Sequence, residues 1–201
     1  SPSWELRSIF AIEFADEHDA IIRLTEEQFL LLDSLTGRRR VAISGCAGSG
    51  KTMLAVEQAR RLADQGFRVL LTCFNKNLAD FLRRDPRLPA AVDVCNFHAL
   101  CRDLAERAGL GDRLHRHPET RTWYDVELPN LLLEAIDHLG GIYDAIIVDE
   151  GQDFQSDWWL PIQCLLHDEK DGILYVFYDD NQNLYRTQLN LPANLDHYPL
   201  T

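Results

Sequence analysis

Along the chain, short apolar runs alternate with stretches in which apolar residues recur every three or four positions. The runs at 40–44, 68–74, 91–95, 143–148 and 173–178 show no polar alternation, and helical patterns at 51–65, 76–84, 97–108, 129–138 and 157–167 separate them. A strand that is apolar on both faces must be covered on both sides. The alternation therefore predicts an α/β fold, a parallel β-sheet with helices on both faces.

Ahead of this pattern, two short apolar-rich runs at 8–14 and 20–24 flank Asp16, Glu17, His18 and Asp19. They predict a hairpin or lead-in segment over 1–24. Thr25 then stands as a helix N-cap with Gln28 three residues on, Phe29, Leu30, Leu31, Leu32 and Leu35 supply an apolar face, and Gly37 ends the helix. Residues 25–201 are assigned to the α/β domain. Within it, 109–125 has no apolar periodicity and predicts a surface excursion. His115 and His117 lie there without a cysteine or carboxylate cluster beside them, which favours a solvated loop over a metal site.

Composition narrows the partners. A chain of 201 residues holds one substantial core. Its net charge of -12 excludes nucleic-acid binding by overall electrostatic attraction, so any such contact must be local. The densest basic run, Arg38-Arg39-Arg40, reads as a solvated turn before a buried strand. Five cysteines, an odd number with no Cys-x-x-Cys pair, read as reduced core thiols of a cytoplasmic protein. No apolar stretch is long enough to span a membrane. The chain starts at Ser1, and further sequence is expected upstream.

Chemistry enters at Gly45-Cys46-Ala47-Gly48-Ser49-Gly50-Lys51-Thr52, which matches G-x-x-x-x-G-K-[ST] between a predicted strand and a predicted helix. Gly45, Ala47, Gly48, Ser49 and Gly50 supply a backbone that can wrap phosphates, with the helix N-terminus facing their charge. Lys51 would reach the β and γ phosphates and Thr52 would offer a hydroxyl to Mg²⁺. A metal-bound triphosphate also needs a carboxylate at the end of a neighbouring strand, and 145–148 runs into Asp149 and Glu150. Asp149 would hold Mg²⁺, while Glu150 would orient and deprotonate the attacking water. The strand 173–178 leads to Gln182, placed to sense the γ-phosphate. A phosphotransferase would also suit the loop, but not Asp149-Glu150-Gly151-Gln152-Asp153-Phe154.

Over residues 24–186 these motifs resemble the UvrD/Rep-like superfamily 1 helicases, whose first RecA-like domain carries them in this order. Leu24 to Gln28 looks like the family's Q motif, which implies that Gln28 recognises the adenine of ATP. Val69 to Lys76 and Val94 to Cys101 are similar to motifs Ia and Ib. That implies a single-strand track, with DNA as the strand, in which Phe74 and Phe97 stack on bases while Asn75, Lys76 and His98 contact the backbone. Without the resemblance, both phenylalanines read as core residues. Asp149 to Phe154 resembles motif II with Gly151 in place of alanine, and implies that Gln152 and Asp153 couple nucleotide state to the track. Tyr178 to Tyr185 is similar to motif III, which gives Gln182 its contact.

Departures bear on activity. Thr187 and Gln188 stand where the family carries an aromatic and an arginine, and only 47 residues separate Cys101 from Asp149, too few for the family's accessory domain. Nothing resembles the motifs of the second RecA-like domain with its arginines. ATP and Mg²⁺ are the expected cofactors, and weak hydrolysis is expected of this stretch alone.

Overall fold

The computed structural model describes residues 29–114, 120–180 and 191–200. The segment 1–24, Thr25, Gln28, His115, His117, Gln182, Thr187 and Gln188 lie outside the described residues. The chain divides into two units, Ser1–Gly37 and Arg38–Thr201. In the first, residues 29–34 are helical and Gly37 follows at φ 84°, the left-handed conformation that ends helices.

The second unit is built on six parallel strands: β1 (Arg40–Gly45), β2 (Val69–Cys73), β3 (Val92–Asn96), β4 (Ala145–Val148), β5 (Ile173–Asp179) and β6 (Asp196–Pro199). Their order across the sheet is β3-β2-β4-β5-β1-β6. Among the helices that join them are α1 (Lys51–Asp64), α2 (Lys76–Leu82), α3 (Phe97–Arg107), α4 (Leu128–Leu139) and α5 (Trp159–Cys164).

Strand side chains alternate between faces, and the burial pattern separates the two layers. Ala42, Leu70, Ile146, Val148, Leu174 and Val176 share one core with Leu100 and Leu104 of α3, Leu131 and Leu132 of α4 and Ile162 of α5. The intervening residues Val41, Ile43, Leu71, Ile147 and Phe177 are equally buried but stand outside that cluster. They face α1, whose buried Leu54, Ala55, Ala59 and Leu62 lie against β1, β2, β4 and β5. Helices thus cover both faces of an all-parallel sheet, the RecA-like arrangement, and β1 and β4 end on the same edge with β5 between them.

Several expectations change. A sixth strand, β6, continues the sheet beyond β1 although Asp196-His197-Tyr198-Pro199 has no apolar run. It is an edge strand, where polar residues and proline are tolerated, and Leu200 N–H secures its end to Ser44 O at 2.6 Å. The excursion 109–125 is not all surface: Trp123 is 4% exposed, and Trp123–Glu127 forms a π-helical turn running directly into α4. One large aromatic in a polar stretch creates burial without periodicity. The expected helix over 157–167 is shorter, with a 3₁₀ turn at Ser156–Trp158 and α5 ending at Cys164.

The basic run lies at the opposite edge of the sheet from the motif ends. Arg39 donates to Asp171 O at 2.9 Å and Arg40 to Gln163 Oε1 at 3.2 Å and to Glu169 O. Arg40 is therefore half-buried structure rather than a solvated turn. All five cysteines are free thiols, but Cys46 is exposed rather than core. No helix among the described residues is long and apolar enough to cross a membrane.

Candidate functional site

In an open parallel sheet ligands bind beyond the carboxyl ends of the strands. β1 delivers the glycine-rich loop to that edge. Gly48 and Gly50 hold φ 79° and 80°, conformations that cost a side-chain-bearing residue energy. Gly50 is the N-cap of α1 and provides no side-chain cap, so the first-turn N–H groups of α1 have no side-chain acceptor there. Uncapped donors at the positive end of a 14-residue helix form an anion site. Lys51 is 6% exposed, with Nζ donating to Gly45 O and Cys46 O, both at 2.8 Å. A buried ammonium satisfied by neutral carbonyls is a cation that an incoming phosphate can recruit.

β4 ends on Asp149, which is fully buried. Its Oδ1 accepts the Glu150 N–H at 3.1 Å, while Oδ2 has no hydrogen-bond partner. Burial pushes the carboxyl up to about 6, while the neighbouring Thr52 side chain acts to pull it down. An unpartnered buried carboxylate oxygen is costly and uncommon in folded proteins. A divalent cation between Asp149 and Thr52 would satisfy it, so the residues present fit Mg²⁺.

Glu150 has φ 56°, the one positive φ outside glycine among the described residues. Strain of this kind concentrates at functional sites. It turns the chain out of β4 and leaves the Glu150 carboxylate half-buried beside the loop. There it accepts from Gln152 Nε2, whose own Oε1 accepts the Asp179 N–H at 2.9 Å. Gln152 therefore ties the end of β4 to the end of β5. Asp153 is exposed, and its N–H closes the turn on Glu150 O at 3.0 Å. Gly151 is buried, and a Cβ there would stand 2.5 Å from Val176 Cγ1, which accounts for glycine at this position.

A cleft of about 490 Å³ joins these parts, with Ala47 to Thr52, Glu150 and Asp179 around it. Its remaining wall is Met53 and Val56 of α1 with Phe81, Leu82, Asp85 and Arg87. Sequence reasoning missed that wall. Phe81 is 69% exposed, and an apolar residue on the polar side of α2 was the available signal.

The expected strand-binding residues lie at the ends of β2 and β3, and the structure separates them. Phe74 is 40% exposed and Lys76 is exposed. Phe97, by contrast, is 0% exposed, stacked on Trp158 at 4.8 Å and packed against Phe154 at 5.5 Å. No base can reach it, so the stacking role expected for Phe97 is corrected to core packing. Asn75 is also committed: its Oδ1 caps α2 by accepting from Asn77 N at 2.8 Å and Leu78 N at 3.2 Å. His98 pairs Nε2 with Tyr124 O at 3.1 Å, and burial draws its pKa below the ordinary value, so it brings no cation to a phosphate at neutral pH. Trp158 and Trp159 are buried, at 1% and 4%.

No protein-family model matches the chain, and no curated protein is significantly similar to it. Solved structures do match. One is Bacteroides Pif1 bound to single-stranded DNA, at 16% identity and a TM-score of 0.41, over 78% of this chain and 32% of that one. Another, of two coordinating Pif1 helicases unwinding forked duplex DNA, matches at 16% identity and a TM-score of 0.38 over the same shares. The chain spans about a third of the length of these structures.

Proposed function

We propose that this chain is the ATP-binding and hydrolysing domain of a superfamily 1 nucleic-acid-dependent ATPase, with DNA helicase or translocase activity belonging to the whole protein. The observation that carries the reading is Asp149, a buried carboxylate with one oxygen unpartnered, set beside Thr52 and the uncapped start of α1.

In this reading the N–H groups of the loop and of α1 bind the phosphates, and Lys51 leaves the carbonyls of Gly45 and Cys46 for the β and γ oxygens. Asp149 and Thr52 would hold Mg²⁺, which would supply charge neutralisation on the phosphates. Glu150, held by Gln152, orients a water and takes its proton. Gln28 recognises adenine and Gln182 senses the γ-phosphate. Gln152 and Asp153 pass the nucleotide state outward to Phe74 and Lys76, which meet the single strand. Arginines that complete the site come from a second RecA-like domain.

The rate of ATP hydrolysis by the protein, measured with and without single-stranded DNA or RNA, tests this reading. Stimulation by a single strand that disappears in Glu150→Gln is expected. A rate indifferent to both nucleic acids would overturn it.

One observation favours a second reading, an ATP-driven switch in a nuclease-associated or other multidomain protein that unwinds nothing. α3, the turn at Trp123 and α4 pack into the core. No accessory domain stands among the described residues between Cys101 and Asp149. Strand displacement by the protein would exclude this alternative.

A further inference from the structure

The π-helical turn Trp123–Glu127 carries a feature outside every motif above. Two of its carbonyls accept from side chains that lie beneath Phe74: Tyr124 O faces His98 Nε2 at 3.1 Å, and Asp125 O takes the Trp158 Nε1–H at 2.9 Å. Side-chain bonds to these carbonyls hold the turn in register with the ends of β2 and β3. π-helical turns are rare and are found disproportionately at functional sites. Here the turn sets the Tyr124 ring 5.2 Å from His98, which in turn lies 5.7 Å from Phe74.

The three rings are linked by successive contacts, edge-on between Phe74 and His98 (74° between planes) and tilted between His98 and Tyr124 (59°). Phe74 stacks its inner face on buried Trp158, 5.7 Å away with the planes 23° apart, and remains 40% exposed. At the Tyr124 end stands a cation. The Arg102 guanidinium lies 5.5 Å over the Tyr124 ring, and its Nη2 donates to Tyr124 Oη at 3.0 Å. An aromatic series with Lys76 near one end and Arg102 at the other meets the requirements of a single strand: flat faces for bases and separated cations for phosphates.

We propose that Tyr124 and Arg102 extend the single-strand site beyond Phe74, Tyr124 as a second stacking platform and Arg102 as a phosphate contact. This rests on the nucleic-acid reading above. It assigns binding to a segment that carries none of the expected motifs. His98 serves as the neutral spacer between the platforms, consistent with its lowered pKa and its bond to the turn.

Anisotropy of fluorescein-labelled twelve-nucleotide oligo(dT) and oligo(U), titrated with the protein across a salt series, tests the assignment. Tyr124→Ala is expected to weaken binding by roughly 5-fold or more, as Phe74→Ala should, because each removes one stacked base. Tyr124→Phe should retain most of the affinity, and Arg102→Gln should lower the salt slope by about 0.7. Photocrosslinking of the unmutated protein to a 4-thiouridine oligonucleotide should place the adduct within 120–128, a readout independent of how the variants fold.

Loss of binding in Phe74→Ala with Tyr124→Ala and Arg102→Gln unchanged, or crosslinks that avoid 120–128, would overturn this inference and leave the nucleic-acid reading standing. Absence of binding to either oligonucleotide by the unmutated protein would overturn both.

Discussion

Asp149→Asn should make the nucleotide-free protein more stable while destroying its ability to use Mg²⁺. The Asp149 carboxyl ionises at about 6 in the folded chain against a reference of 3.8, because burial disfavours its charged form. At about 1.4 kcal/mol per pH unit, that gap makes the charged carboxylate cost ~3 kcal/mol at neutral pH. The sign follows from linkage. Below 3.8 the group is protonated in both states and carries no penalty. Stability is lost as pH rises from 3.8 to the folded value, and above it the loss is complete.

Asparagine keeps an oxygen for the Glu150 N–H and carries no charge. Its second amide atom lies where Oδ2 lacks a partner, so part of the gain is forfeited. A net gain of about 1 to 3 kcal/mol at pH 7.5 corresponds to a rise in Tm of about 2 to 12 °C for a chain of this size. Thermal melts of both proteins at pH 4.5, 6 and 7.5 provide the assay, each with and without Mg²⁺ and a non-hydrolysable ATP analogue. The variant's advantage should shrink towards zero at the lowest pH, and metal nucleotide should raise the Tm of the unmutated protein far more than that of the variant. An Asp149→Asn protein no more stable at pH 7.5, or one equally favoured at pH 4.5, would refute the description of Asp149 as a desolvated carboxylate awaiting a cation.

Other consequences are open to direct measurement. Cys46 is the exposed cysteine of the loop, so maleimide should label it ahead of buried Cys73 and Cys101, and ATP with Mg²⁺ should slow that labelling when peptides are mapped by mass spectrometry. Gly151→Ala should destabilise the fold by about 1 to 3 kcal/mol, since the new Cβ meets Val176 Cγ1, and Val176→Ala in the same chain should recover much of the loss in denaturant melts. Gln152→Ala removes the acceptor of the Asp179 N–H and the donor to Glu150. Nucleotide affinity by calorimetry should change little, while the turnover rate falls by tenfold or more. Lys51→Ala should instead abolish nucleotide binding and leave far-UV circular dichroism unchanged.

The placing of the glycine-rich loop and of Asp149 at one end of the sheet was legible because the pattern is local in sequence. A phosphate cradle needs glycines with left-handed backbone, a lysine and a hydroxyl within eight positions, and a strand ending on an aspartate points that carboxylate at the same edge. Alternation of apolar runs likewise fixed five strands and their helical layers. What escaped depends on which side of an element a residue faces, or on a partner distant in the chain. Phe74 and Phe97 both end strands and look equivalent, yet Phe97 turns inward on Trp158, which comes 61 residues later in the chain. Asn75 reads as a polar contact until α2 is seen to begin on it. β6 has no apolar signature because an edge strand needs none. Trp123 and Tyr124 sit in a polar stretch whose structure comes from side chains of α3 and of the 3₁₀ turn at Ser156–Trp158, bonded to its carbonyls.

That distribution has a physical meaning for coupling. The end of β4 reaches β5 through Gln152, while Phe154, two residues on, packs edge-on against Trp158 at 5.8 Å, and Trp158 also stacks on Phe74. A shift of Glu150 on binding nucleotide would move the turn Gly151–Asp153, and with it Phe154, against an aromatic stack that is packed rather than solvated. Close packing transmits such a shift instead of absorbing it. On the proposed reading, these buried aromatics would be the material link between the cleft and Phe74. Trp158→Leu should accordingly weaken any stimulation of hydrolysis by a single strand more than it weakens hydrolysis itself. Equal losses in both would show that the stack is only core.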